Sequence, residues 1–201
     1  MNNTPKPYSE SCDQNRDPIF NVIQPLLSDK KHLLEIGSGT GQHAVYFAEK
    51  MPHLIWQTSD QQDYHKGINQ WLAEAKLPNT LAPLALNVSK DNWPETKFDA
   101  VYSANAVHIM GWGNVEDFIR KAANCLNTNG ILILYGPFNY HNQYTSESNA
   151  RFDIWLKDRD PKSGIRDFEA IDKLAQESGL ALQNDFEMPA NNRILHWKKT
   201  A

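Results

Sequence analysis

Leu33-Leu34-Glu35-Ile36-Gly37-Ser38-Gly39-Thr40-Gly41-Gln42-His43 is the stretch that decides the fold. An apolar run meets an acid, then glycines recur at every second position, then an amphipathic pattern begins. This predicts a buried strand that stops in a tight turn and opens a helix. Glycines there let a ligand lie against the backbone, because a side chain would block it. A dinucleotide fingerprint needs a third glycine where this chain has Gln42. A phosphate loop needs a Lys-Ser/Thr pair after its glycines, and none follows. An ordinary glycine-rich turn and a degenerate dinucleotide site remain as alternatives.

The pattern that does match is acid-x-Gly-x-Gly-x-Gly, led by Glu35. It resembles the first motif of class I S-adenosylmethionine-dependent methyltransferases. That cofactor carries an ammonium and a sulfonium and no phosphate, so a carboxylate beside the turn is favourable. Glu35, Gly37, Ser38, Gly39 and Gly41 are therefore expected at the cofactor, with His43 packing beside it.

The rest of the chain fits one domain over 1–201, with an N-terminal cap segment 1–27 and an insertion at 138–166. The 201 residues are 40% hydrophobic and 22% charged, with a formal net charge of -4, so no basic face for nucleic acid is implied. No apolar run reaches membrane-spanning length, and the polar N-terminus lacks a secretory core. Cys12 and Cys125 have no metal or redox spacing. A cytoplasmic protein with free thiols and no metal site is the expectation.

In chain order, Asp17 is expected to cap a helix with Pro18 at its first position. Ile19, Val22, Ile23, Leu26 and Leu27 share one face of that helix, and Pro25 should kink or break it. Arg16 just before it is expected to fold back and meet the cofactor's carboxylate, as bidentate guanidinium geometry allows. Leu54 to Thr58 reads as the second strand. It ends at Asp60, whose carboxylate can accept from both ribose hydroxyls or can simply be a turn residue. Gln61 beside it would border the adenine.

Tyr64 to Ala75 reads as a helix and Leu81 to Val88 as a third strand, with Asn87 and Val88 at its end. In the resembled superfamily an Asp often meets the adenine here. An Asn amide can do the same or can close a turn. Phe98 to Tyr102 is the fourth strand, and it leads to Asn105 and His108 at the carboxyl edge where ligands bind. His108 is the candidate general base, or else a packing residue. Asn114 is expected to cap the next helix, Ile131 to Tyr135 to form the fifth strand, and Asp167 to cap a last helix. Leu180 to Met188 and Arg193 to Lys198 fit a terminal antiparallel hairpin.

Within 138–166, Phe138, Tyr140, Tyr144, Phe152 and Trp155 supply apolar area and several Asn supply hydrogen bonds. The mixture suits a lid over a pocket for a small acceptor beside His108 and Asn105. Tyr140, His141 and Arg166 are the acceptor-contact candidates, although a solvated loop explains them equally.

The order of elements matches a doubly wound, seven-stranded, mostly parallel α/β sheet with an antiparallel C-terminal edge hairpin. Four pieces are more specific: Asn15-Arg16-Asp17-Pro18-Ile19, Leu34 to His43, Gly136-Pro137-Phe138 with Ser146 to Asn149 and Arg159-Asp160-Pro161, and Gly164-Ile165-Arg166-Asp167. Together they resemble the methyltransferase-like family that includes methyltransferase-like protein 26. That resemblance implies an S-adenosylmethionine-dependent fold and no settled substrate. The function so implied is methyl transfer to an unidentified small molecule. The alternative is a non-catalytic binder of S-adenosylmethionine or S-adenosylhomocysteine that acts through partner contacts. A nicotinamide oxidoreductase is disfavoured by Gln42.

Overall fold

A computed structural model describes residues 5–200, so the first four residues of the expected cap lie outside it. The elements run α1 (Glu10–Leu26), β1 (His32–Glu35), α2 (Gln42–Lys50), β2 (Ile55–Asp60), α3 (His65–Ala75), β3 (Thr80–Ala85) and β4 (Phe98–Ala104). They continue with α4 (Trp112–Cys125), β5 (Leu126–Gly136), β6 (Phe138–Asn139), α5 (Glu147–Arg159), β7 (Arg166–Asp167), α6 (Phe168–Glu177), β8 (Leu180–Met188) and β9 (Asn192–Lys199).

Seven strands form the main sheet in the order β3-β2-β1-β4-β5-β9-β8. The pairs from β3 through β5 are parallel, and β9 runs antiparallel to both β5 and β8. The fold is the doubly wound α/β sheet with an antiparallel edge hairpin that the pattern predicts. Alternation explains how each strand serves two layers. On one face, Leu33, Tyr102, Ile131 and Ile133 pack with α1 and α2. On the other, Leu34, Val101, Leu132 and Leu134 pack with α4 and α6. Strand order reverses between β1 and β4, so their carboxyl ends open a crevice there.

Several boundaries differ from the sequence expectation. Helix α1 begins at Glu10, capped by Ser9, whose side chain accepts from the Cys12 amide at 3.4 Å. Asp17 is therefore interior, and Pro18 and Pro25 both lie within the helix. An interior proline costs about 3 kcal/mol. Full burial of Ile19, Ile23 and Leu27, at about 1.5–3 kcal/mol each, is of the size needed to offset the two prolines. The first turn gains from Glu10 and Asp13 at the positive end of the helix dipole.

Strand β3 stops at Ala85, so Asn87 and Val88 belong to the following turn. Helix α4 starts at Trp112 after Gly111, and the Asn114 side chain instead accepts from the Ser89 hydroxyl at 2.8 Å. Asp167 does precede α6, but its carboxylate accepts from the Asn142 amide at 2.6 Å rather than capping the helix. The segment 138–166 contains α5 and is tied down by buried Asp153. That carboxylate accepts from the Ile165 amide at 2.6 Å, the Lys157 ammonium at 2.6 Å and the Tyr144 hydroxyl at 2.7 Å.

Candidate functional site

The glycine turn leaves β1 and is latched to the end of β2. The amides of Gly37 and Ser38 both donate to the Ser59 carbonyl, at 3.1 and 3.0 Å. Gly39 has φ 57°, and a side chain there would project into open space. Its amide donates to Asp60 Oδ2 at 2.8 Å, while Gln61 donates to Asp60 Oδ1 at 2.7 Å. Both oxygens are thus oriented by backbone and keep lone pairs for a ligand. Gly41 serves packing instead. At φ 91° its added Cβ would stand 3.1 Å from the Ile68 Cα of α3, and it does not line the cleft.

Glu35 is the buried acid of this cleft. Its Oε2 accepts from the Ser38 hydroxyl at 2.7 Å and the Trp56 indole at 3.0 Å. Parallel register sets Trp56 opposite Leu33, on the face that Glu35 shares. Burial raises the Glu35 pKa to about 7, against the two donors that lower it, and Asp60 adds to the rise. Burial also raises Asp60, opposed by its two backbone donors. A cation bound between these acids would favour their ionised forms.

The cleft measures about 330 Å³. Of the expected cofactor residues, Glu35, Gly37, Ser38, Gly39, His43, Asp60, Gln61, Asn87, Val88 and Asn105 line it. The Asn87 side-chain oxygen, Oδ1, also accepts from the Ser89 and Lys90 amides at 3.3 Å, which closes its turn. His43 is buried, bonded through Nε2 to Asn15 Oδ1 at 2.7 Å, and held neutral with its pKa lowered to about 4 by burial.

The N-terminal segment does fold over the turn, but not through Arg16. The Ser9 amide donates to Gln42 Oε1 at 2.6 Å, and the Trp71 indole donates to the Pro7 carbonyl at 2.8 Å. Ser9, Ser11 and Cys12 then line the cleft. Arg16 does not line the cleft; it is paired with Asp13 at 2.7 Å and its guanidinium lies 4.8 Å from the Tyr46 ring centroid. Sequence reasoning missed Ser9, Ser11 and Cys12, and also Tyr64 and Ile109, because long-range contacts place them. Only the Ser9 capping signal was there to be read.

A second cavity of about 760 Å³ adjoins the first, and Ser11, Asn105 and Ile109 line both. Asn105 forms the shared wall at the end of β4, in the left-handed conformation with φ 55°. His108 lines only the second cavity, edge-on to Phe152 at 5.3 Å. Its pKa is lowered to about 4 by burial, with Arg166 adding to the fall.

The three acceptor-contact candidates lie elsewhere. Tyr140 stacks on Phe168 at 5.2 Å and donates to Asp185 at 2.7 Å. His141 is exposed beside Glu169 at 3.0 Å. Arg166 donates to the carbonyls of Val107 at 3.5 Å, Lys162 at 2.8 Å and Met110. It clasps the turn that carries His108. The Gly164 amide does the same through the His108 carbonyl at 2.8 Å. From 138–166, Ser148, Asn149, Phe152, Trp155 and Leu156 line the cavity instead.

This sheet, with a glycine turn after β1 and an acid ending β2, is the fold of class I S-adenosylmethionine-dependent methyltransferases. The chain belongs to the family described as "Protein of unknown function (DUF938)", which matches residues 6–199. Among solved structures it is similar to human N-acetylserotonin methyltransferase in complex with SAM. That match has 13% identity and a TM-score of 0.81, over 96% of this chain and 53% of that one. An O-methyltransferase family protein from Burkholderia thailandensis matches at 15% identity and TM-score 0.78, over 94% of this chain and 59% of that one. An O-methyltransferase family 2 protein from Planctomyces limnophilus, in complex with apigenin, matches at 15% identity and TM-score 0.75, over 85% and 51%. This chain thus spans little more than half the length of these structures.

Proposed function

We propose that the protein is an S-adenosylmethionine-dependent methyltransferase acting on a small molecule. The observation that carries this reading is the pairing of an acidic, backbone-lined cleft with a second cavity across a wall shared by Ser11, Asn105 and Ile109. The cleft's residues fit the cofactor: Gly39 leaves open space for it, Asp60 offers two oriented oxygens for ribose, and Glu35 offers negative charge toward the cationic end. Tyr64, Gln61, Asn87 and Val88 would hold the adenine. The cofactor supplies an activated methyl whose carbon–sulfur bond breaks as the acceptor bond forms, the electron pair staying on sulfur.

The chain's own task is to place the acceptor in line and keep water out. Helix α5 and the start of α1 cover the cavity. His108 would accept a hydrogen bond from the acceptor's hydroxyl or amine. With its pKa near 4 the ring orients the acceptor, and the released proton passes on to water. The resemblance to the methyltransferase-like protein 26 family rests on the motifs quoted above and adds no substrate.

Calorimetry with S-adenosylhomocysteine and with NAD tests the cofactor. Saturable binding of the first and none of the second is expected, and the reverse sinks the reading. A metabolite panel scored for methylated product then separates an enzyme from a protein that only binds the cofactor.

A further inference from the structure

Resting on that methyl-transfer reading, we propose that the second cavity selects an uncharged, ring-bearing acceptor and rejects carboxylates, phosphates and ammonium groups. Among the described residues, none that lines it is Asp, Glu, Lys or Arg. Its polar wall is made of amides and hydroxyls, among them Gln14, Asn15, Asn105, Ser148 and Asn192. Both titratable groups in its lining are held neutral by burial: His108 has its pKa lowered and Tyr135 has its pKa raised. The contrast is with the adjoining cleft, where Glu35 and Asp60 both reach the lining. A charged group entering the cavity would lose its hydration with no counter-charge to meet. Such a transfer weakens binding by about tenfold or more.

The apolar wall favours a flat shape. Phe152 and Trp155 stack with centroids 5.7 Å apart and planes within 18°, and His108 stands edge-on to Phe152. Pro18, Pro137 and Pro189 add rigid apolar surface. A ring laid against such a wall gains aromatic contact as well as area burial. The His108 ring makes no hydrogen bond to any described residue, so it is available to a hydroxyl at the ring's edge. Arg159 sits 4.6 Å over the Trp155 ring without lining the cavity.

Three probes that share one ring test the inference on the intact protein saturated with S-adenosylhomocysteine: 2-naphthol, 2-naphthoate and 2-naphthylmethylammonium, titrated by ligand-observed NMR. 2-Naphthol should bind at least about tenfold tighter than either ion, and Phe152→Ala should weaken it. Gln14 is exposed, so Gln14→Lys should leave the fold intact while it narrows the gap between naphthoate and naphthol. Equal or tighter binding of either ion to the unsubstituted protein overturns the inference. So does absence of 2-naphthol binding when S-adenosylhomocysteine binds. Failure of S-adenosylhomocysteine to bind instead removes the methyl-transfer reading, and the probe titrations on the protein alone still decide the cavity's charge preference.

Discussion

The cleft at the glycine turn and the cavity behind Asn105 are neighbours built from different material. Backbone makes much of the cleft: Gly37, Ser38 and Gly39 are fixed by carbonyl and carboxylate partners on β2 and at its end. Side chains make the cavity, projected from α1, α5, the ends of β4 and β5 and the turn between β8 and β9. One holds two acids and the other holds no formal charge. A backbone site depends on a short local motif, whereas a side-chain site depends on how distant helices are rotated.

The sharpest way to probe this contrast is to remove the cleft's buried charge. Burial pushes the Glu35 pKa up to about 7 from its ordinary value of 4.5. A raised carboxyl pKa means stability present below 4.5 that is lost as pH rises through 7. Glu35→Gln should abolish that loss. The variant's advantage in unfolding free energy should grow by about 3 kcal/mol between those limits, while binding of S-adenosylmethionine weakens. Parallel pH–stability curves for the two proteins would show that Glu35 is ionised throughout.

Asp60→Ala should weaken S-adenosylhomocysteine by about 1.5–3 kcal/mol, the range for hydrogen bonds to a charged group. Calorimetry reads this, and 2-naphthol binding to the cavity should be unaffected. An unchanged dissociation constant would make Asp60 only the brace of the glycine turn. The smallest effect belongs to Arg16→Ala. Its half-exposed pair with Asp13 contributes at most about 1 kcal/mol to stability, and cofactor affinity should not move. A tenfold loss of affinity would restore Arg16 to the cleft.

The same contrast explains what could be read from the sequence. Leu33 to Gln42 announces strand, turn and helix because each step is a local conformational requirement. Ile19, Ile23 and Leu27 are legible as a buried face by spacing alone. The start of α1 was not, since Pro18 reads locally as a first helical residue. What orders the preceding segment is Gln42 and Trp71, far along the chain. The acceptor candidates lie away from the cavity for a related reason. In α5, Phe152 and Leu156 turn to the cavity while Ile154 is 60% exposed, an arrangement fixed by Asp153 rather than by apolar period. Tyr140 and Arg166 look chemical in sequence, but an acid and three carbonyls, respectively, occupy them.

Gln42 first matters as the residue that breaks a dinucleotide fingerprint, and its side chain then grips Ser9. That bond spans 33 residues, and the Pro7–Trp71 bond beside it spans 64. Doubling a closed loop adds only about 0.6 kcal/mol of entropy, so the longer bond is nearly as easy to close as the shorter. During synthesis the Ser9 segment emerges before either partner. The cover over the glycine turn is therefore held at two points, one by a residue of α2 and one by a residue of α3.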